Sequence, residues 1–189
     1  DGTGGPRRRA DLGIRDGRPL YTLSLHPSPV TCVAPAPAGI IVACGHADGT
    51  VSVVRPGDGT GPRTVPGNGS PVLQLAFDAT GRTCLAVYEQ GNPARWDTST
   101  GEKERMYTGL SGKAVCCAVS LDGRWFAVGS DRHAVFCWEA GRVAPEASIP
   151  LYSRHATSCS AAADGSLLAA GFHDGSVRIW RMAGGELRR

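Results

Sequence analysis

Apolar residues along this chain come in short runs, each bounded by a polar turn that carries glycine. Residues 71–77 read Pro-Val-Leu-Gln-Leu-Ala-Phe, and Ile40–Cys44, Trp125–Val128 and Leu167–Ala170 are further runs. Runs of this length between glycine turns predict β-strands. Asp122-Gly123 and Asp164-Gly165 stand between consecutive runs. Asp-Gly in that position predicts a hairpin, because glycine supplies the positive φ that a tight turn requires. The second run of each group is small and almost wholly apolar, which predicts burial on both faces; strict alternation would predict one wet face.

The whole pattern recurs every 42 residues without a gap: residues 45–54 lie over 87–96, 129–138 and 171–180. The closing position of each copy is therefore Val54, Trp96, Trp138 and Trp180, and fifteen residues earlier stand Gly39, Gly81, Gly123 and Gly165. A fixed period of this length means repeated supersecondary units. Each unit predicts four short antiparallel strands, the fourth following Trp96 to Gly101 at around Arg105–Thr108. Small sheets covered on both faces and repeated along the chain describe blades set around an axis.

Residues 171–180, Gly-Phe-His-Asp-Gly-Ser-Val-Arg-Ile-Trp, resemble the closing signature of WD-repeat β-propellers, in which a turn Asp stands six residues before the Trp. Asp48 and Asp174 occupy that slot, Gln90 and Arg132 replace it in the middle repeats, and Trp96-Asp97 spells the dipeptide that names the family. Where the family opens a repeat with Gly-His, this chain has Leu25-His26, Gly67-Asn68, Gly109-Leu110 and Leu151-Tyr152. The bracing network of His, Ser/Thr, Asp and Trp is thus expected to be incomplete in every repeat. The resemblance covers residues 18–189 and implies an all-β fold of four-stranded antiparallel blades. Residues 1–17 read as a linker or as the tail of a preceding repeat. WD-repeat propellers usually close with about seven blades, so about four blades imply an open arc or a fragment of a larger propeller. Arg189 stands in the slot of Arg105, which predicts that the last blade lacks its outer strand. An open arc leaves apolar faces and a strand edge in water. The isolated chain is expected to self-associate or to be only marginally stable.

Composition narrows the function classes. Hydrophobic residues make up 41% of the 189, and the longest apolar run, residues 38–45, is far short of the roughly 20 residues that a membrane span needs. Seven cysteines, an odd number, lie mostly on predicted buried strands, where free cysteine acts as a small apolar residue. This usage predicts a reducing, intracellular location in the cytoplasm. The sequon Asn68-Gly69-Ser70 is followed by Pro71 and reads as a turn. The net charge of +3 rests on terminal arginines, Arg7, Arg8, Arg9, Arg15, Arg188 and Arg189, and the chain between them is nearly neutral. No basic stripe with interleaved aromatics is left to neutralise phosphates, so no specific nucleic acid is expected.

Catalytic chemistry yields only near misses. Gly112-Lys113-Ala114 matches the end of a phosphate-binding loop, but Tyr107 falls where its first glycine belongs and Ala114 where its hydroxyl belongs. His46/Asp48 and His173/Asp174 lie on different repeats with no Cys-x-x-C beside them, so turn capping or partner contact is preferred to a metal. Cys116 and Cys117 are adjacent and point to opposite faces of a strand. No catalytic residue, metal or cofactor is assigned, and Trp96, Trp138 and Trp180 are read as structural, with Trp125 as core or contact.

Recognition is what remains, because several short loops on one rim build a wide surface. By resemblance, the contact face carries the turn before the third strand and the loop entering the first. That places His26, His46, Tyr88, Glu89, Gln90, Asp131, Arg132, His133, Tyr152, Arg154, His155 and His173 on it. The implied function is a non-catalytic scaffold for partner proteins or peptides. The alternative is a sensor or autoinhibitory region of a larger signalling NTPase or kinase.

Overall fold

The computed structural model describes residues 26–56, 61–132, 134–150, 156–183 and 186–188, all as strands, turns and loops. Among the described residues, sixteen strands form four antiparallel sheets, each made of four strands consecutive in the chain. The first contains β1 (Val30–Pro35), β2 (Val42–His46), β3 (Val51–Val54) and β4 (Arg63–Val65). The second contains β5 (Val72–Phe77), β6 (Thr83–Tyr88), β7 (Ala94–Asp97) and β8 (Lys103–Met106). β9 (Ala114–Val119), β10 (Trp125–Ser130), β11 (Ala134–Glu139) and β12 (Ala147–Pro150) make the third. The fourth is β13 (Ala156–Ala161), β14 (Leu167–Phe172), β15 (Val177–Ala183) and β16 (Glu186–Arg188). Packing runs from each sheet to the next, led by β1 on β5, β5 on β9 and β9 on β13, so the sheets form an open run.

Two expectations about the fourth strands need correction. The second sheet's outer strand is Lys103–Met106, starting two residues earlier than expected. The last sheet does have a short outer strand, Glu186–Arg188, because β15 continues to Ala183 and pairs back onto it with Ala183 opposite Glu186. Only the two glycines 184 and 185 separate that pair in the sequence, a hairpin spacing. The slot of Arg105 is therefore not where this strand begins.

Side-chain alternation distributes one core to each junction. On β6, Cys84, Ala86 and Tyr88 face the first sheet, while Leu85 and Val87 face the third. Each closing tryptophan packs against the preceding sheet: Trp96 with Ala43 and Val53, Trp138 with Leu85 and Val87, Trp180 with Ala127 and Val135. Truncating a buried aromatic of this size costs about 3–5 kcal/mol. Both faces of β2, β6 and β10 are covered along nearly their whole length. β14 instead alternates, with Leu167 exposed beside Val177 and Ile179 of β15. The reason is position: among the described residues the far face of the fourth sheet has no neighbouring sheet. Ile40, part of an apolar run in the sequence, is exposed because the hairpin turn at Gly39 places it before β2 begins.

The four hairpin glycines, Gly39, Gly81, Gly123 and Gly165, have φ of +71°, +71°, +67° and +69°. This left-handed conformation is one that residues with a Cβ adopt only at a cost.

Candidate functional site

Two loops meet at one end of each of the first three sheets: the loop entering the first strand and the turn between the second and third. Backbone and hydroxyl hydrogen bonds hold them together in register with the repeat. In the first sheet the Asp48 N–H donates to Ser28 Oγ (3.1 Å) and the Ala47 N–H to the Pro29 carbonyl (2.9 Å). One period later, the Gln90 N–H donates to Ser70 Oγ (2.9 Å) and the Glu89 N–H to the Pro71 carbonyl (2.8 Å). The third sheet has Gly112 in the serine slot, and Asp131 takes over by accepting from the Lys113 N–H (2.8 Å) while its own N–H donates to the Lys113 carbonyl (3.0 Å). A Cβ at Gly112 would lie 2.3 Å from Asp131 Oδ1, so glycine is what lets this loop close.

The first turn is a bracing network rather than an open surface. His46 is fully buried, its Nδ1 3.1 Å from the Ser28 carbonyl and its Nε2 2.9 Å from Ser52 Oγ. The half-buried His26 lies tilted against it, ring centroids 4.9 Å apart, and places Nδ1 3.5 Å from Asp48 Oδ2. Asp48 accepts from the Thr50 N–H (3.0 Å) and hydroxyl (2.7 Å). Those bonds, with the two histidines beside them, hold its carboxyl below the usual range. The first sheet thus keeps the His, Ser and Asp parts of the brace and lacks the Trp, Val54 standing in its place.

Of the residues expected on the rim, His46 and Tyr88 are buried. Tyr88 pairs with Val72 across β5 and β6 and packs near Trp96, and burial pushes its hydroxyl pKa up. Gln90, Asp131, Arg132 and His173 are exposed, and Glu89 forms an ion pair with Lys113 (3.2 Å). These bring together the rims of the second and third sheets, whereas His173 sits apart on the fourth. His133, Tyr152, Arg154 and His155 lie outside the described residues. At the turn of the fourth sheet Asp174 accepts from the Ser176 N–H (3.0 Å) and hydroxyl (2.5 Å).

Sequence reasoning missed an open cleft of about 540 Å³ on the second sheet, lined in part by Asn68, Tyr88, Gln90, Asn92, Lys103 and Met106. Asn68 joins its two loops, its amide donating to the Gln90 carbonyl (2.8 Å) while its oxygen accepts from the Ser70 N–H (2.9 Å). The Asn-Gly-Ser sequon was the available signal, since an Asn that folds back on its own chain caps a turn. Behind the cleft, Lys103 Nζ lies 4.7 Å from the Trp96 ring centroid, and among the described residues the buried Trp96 indole N–H has the Tyr88 hydroxyl near it but no well-formed hydrogen bond. In the third sheet the Trp138 N–H has one, the Thr108 carbonyl at 3.1 Å. Among the described residues no group of three or more His, Cys, Asp or Glu side chains is placed to hold a metal ion. Amides, one cation and an apolar floor equip the cleft for hydrogen bonding to a polar chain.

The WD domain, G-beta repeat family model matches residues 17–54, 101–139 and 148–181, more than half of the chain. The chain belongs to the WD-repeat family. The match at 101–139 begins beside β8 and ends at β11, so a WD sequence repeat is offset by one strand from the sheet it builds. β5 to β7 lie outside the matched segments and still form the inner three strands of a sheet with the same order as the others. Over 118 residues, 62% of this WD-repeat chain, it is 29% identical to apoptotic protease-activating factor 1 of Rattus norvegicus, covering 8% of that protein. It is 26% identical to the LST8 homolog of Drosophila melanogaster over 100 residues, 49% of the chain and 32% of the relative. With telomerase protein component 1 of Rattus norvegicus it shares 25% identity over 162 residues, 85% of the chain and 6% of the relative. The aligned part is therefore no more than about a third of any of these relatives.

Proposed function

We propose that this WD-repeat segment, residues 18–189, is a non-catalytic scaffold that binds a protein or peptide across the rims of its second and third sheets. The observation that carries the reading is the placement of Gln90 and Arg132. Both stand where the family has its bracing Asp, both are exposed, and both sit on turns whose backbones are already held by Ser70, Ser130 and Lys113. Their side chains are released from the structural task that Asp48 performs in the first sheet. Glu89, Lys113 and Asp131 add alternating charge, and the amide-lined cleft beside Gln90 suits an extended peptide backbone. Fixed loops carrying long polar side chains bind with little ordering cost. The buried cysteines and near-neutral charge of the core chain support an intracellular, cytoplasmic setting with a protein rather than a nucleic acid as partner. No helix among the described residues is long and apolar enough to cross a membrane.

Replacing Gln90 and Arg132 together by Ala tests this. Proteins captured by the immobilised wild-type chain, measured by quantitative mass spectrometry, should fall about tenfold with the double variant while the melting temperature stays within about 1 °C, since exposed substitutions change stability by less than about 0.5 kcal/mol. Unchanged capture would overturn the assignment, and a parallel drop in melting temperature would make both residues structural. The small share of each relative that the chain covers favours a second reading, in which the same rim is the sensor or autoinhibitory surface of a larger signalling NTPase or kinase.

A further inference from the structure

At the second junction between sheets the Gln74 side-chain oxygen of β5 accepts from the Cys117 N–H of β9 at 3.3 Å, an offset of 43 residues, one more than the repeat. At the third junction the same offset brings together two sulfurs, Cys116 of β9 and Cys159 of β13, with Sγ to Sγ 2.8 Å. Space for them comes from Gly129 on β10, where a Cβ would lie 2.6 Å from Cys116 Sγ and 3.5 Å from Cys159 Sγ. Cys159 is partly exposed and lines a cleft of about 380 Å³ with Gln74, Cys117 and Ser160.

The remaining thiols differ. Cys84 and Cys137 are buried among apolar side chains, which pushes both up to about 12. Burial raises Cys117 as well. In the pair either thiol can donate to the other, and a Cys159 S–H turned toward Cys116 lowers the Cys116 thiol while the shared proton stays on Cys159. Thiolate character, access and a neighbouring resolving thiol make a cysteine responsive to peroxide; Cys116 itself is buried, and the cleft at Cys159 is the way in.

We propose that Cys116 and Cys159 form a redox modification site at which hydrogen peroxide or an organic hydroperoxide joins the third and fourth sheets by a disulfide. The Cys116 sulfur attacks one peroxide oxygen and the O–O bond breaks, leaving a sulfenic acid on Cys116 and releasing hydroxide or alkoxide. Cys159 Sγ then attacks the Cys116 sulfur and the S–O bond breaks. The departing hydroxide and the Cys159 proton form water. Two thiols lose two protons and two electrons, and hydrogen peroxide becomes two waters. This site lies on the inner strands, away from the binding rim, and stands whether or not the rim assignment holds.

The test is to treat the reduced full chain with a small excess of hydrogen peroxide, block free thiols with N-ethylmaleimide and digest with trypsin without reductant. Expected are an intact mass lower by two hydrogens and a linked pair of peptides, 114–124 with 155–178. The link should vanish with dithiothreitol, be absent in Cys116→Ser and in Cys159→Ser, and persist in Cys117→Ser. Sulfinic or sulfonic acid without a link, a link between other cysteines, a link that survives Cys116→Ser, or no oxidation when free glutathione in the same tube is half consumed would each overturn the proposal. Fragmentation of the linked peptide from the wild-type chain, which places N-ethylmaleimide on Cys117 and the link on Cys116, decides the matter even where a serine variant folds poorly.

Discussion

Gly39 and Gly123 are equivalent hairpin glycines with nearly the same backbone, φ +71° and +67°, but different surroundings. A Cβ on Gly39 meets nothing within 4 Å, whereas one on Gly123 would stand 2.8 Å from the Cβ and 3.4 Å from the Cα of Asp78 in the preceding sheet. Asp78 has little freedom to retreat. Its carboxylate accepts from the Thr83 N–H (3.1 Å) and the Thr80 hydroxyl (2.9 Å), and its own N–H donates to the Thr83 carbonyl (3.1 Å). Gly39→Ala therefore carries the left-handed backbone cost alone, about 1 kcal/mol. Gly123→Ala adds an overpacking term of about 1–3 kcal/mol, for a total of about 2–4 kcal/mol. Urea unfolding followed by tryptophan fluorescence measures both, and Trp125 lies two residues from the substituted turn. With a urea slope of about 2 kcal/mol/M, the midpoint should fall by about 0.5 M for Gly39→Ala and by about 1–2 M for Gly123→Ala. Equal falls, or a larger one for Gly39→Ala, would refute the claim that these turns also act as contacts between sheets.

The closing tryptophans offer a second comparison: Trp138→Phe removes a donor from the Thr108 carbonyl, whereas Trp96→Phe removes an indole N–H that makes no well-formed hydrogen bond among the described residues. Trp138→Phe should be the more destabilising by about 1–3 kcal/mol, read from the same urea midpoints, and the reverse order would sink the distinction. Acid provides a third. Asp97 accepts from the Ser99 hydroxyl (2.5 Å), the Thr100 N–H (3.0 Å) and the Ser99 N–H (2.8 Å), which hold its carboxyl well below its ordinary 3.8, and Asp164 is lowered by Ser166 in the same way. A depressed carboxylate contributes stability above its unfolded pKa and loses it as pH falls through the folded value. Stability should thus be flat between about pH 5 and 7 and decline below about pH 4, with a shallower decline in Asp97→Asn; an unaltered decline in that variant would exclude Asp97 as a source.

Features set by nearest neighbours in the chain were legible in the sequence. The hairpin glycines, the caps made by Asp48 and Asp174, and the closing tryptophans each depend on residues a few positions away, and a 42-residue period multiplies that local signal fourfold. The exposure of Gln90 and Arg132 followed from their place at the turn, where Asp48 and Asp174 are exposed as well. Burial of His46 and Tyr88 did not. Both stand at the turn position that the period assigns to the rim, but His46 is covered through its bonds to Ser28 and Ser52, and Tyr88 through Val72 opposite it on β5.

Taken alone, the sequence determined that the chain makes four repeated β-sheets of one family and where each begins to turn, because strand length, glycine φ and apolar spacing are properties of short segments. Only the tertiary structure decided which turn residues remain accessible, that the last sheet gains an outer strand, and that Cys116 meets Cys159. Those outcomes depend on how one sheet stacks on the next, and a contact at an offset of 43 residues is set by the packing of two inner strands rather than by the conformation of either.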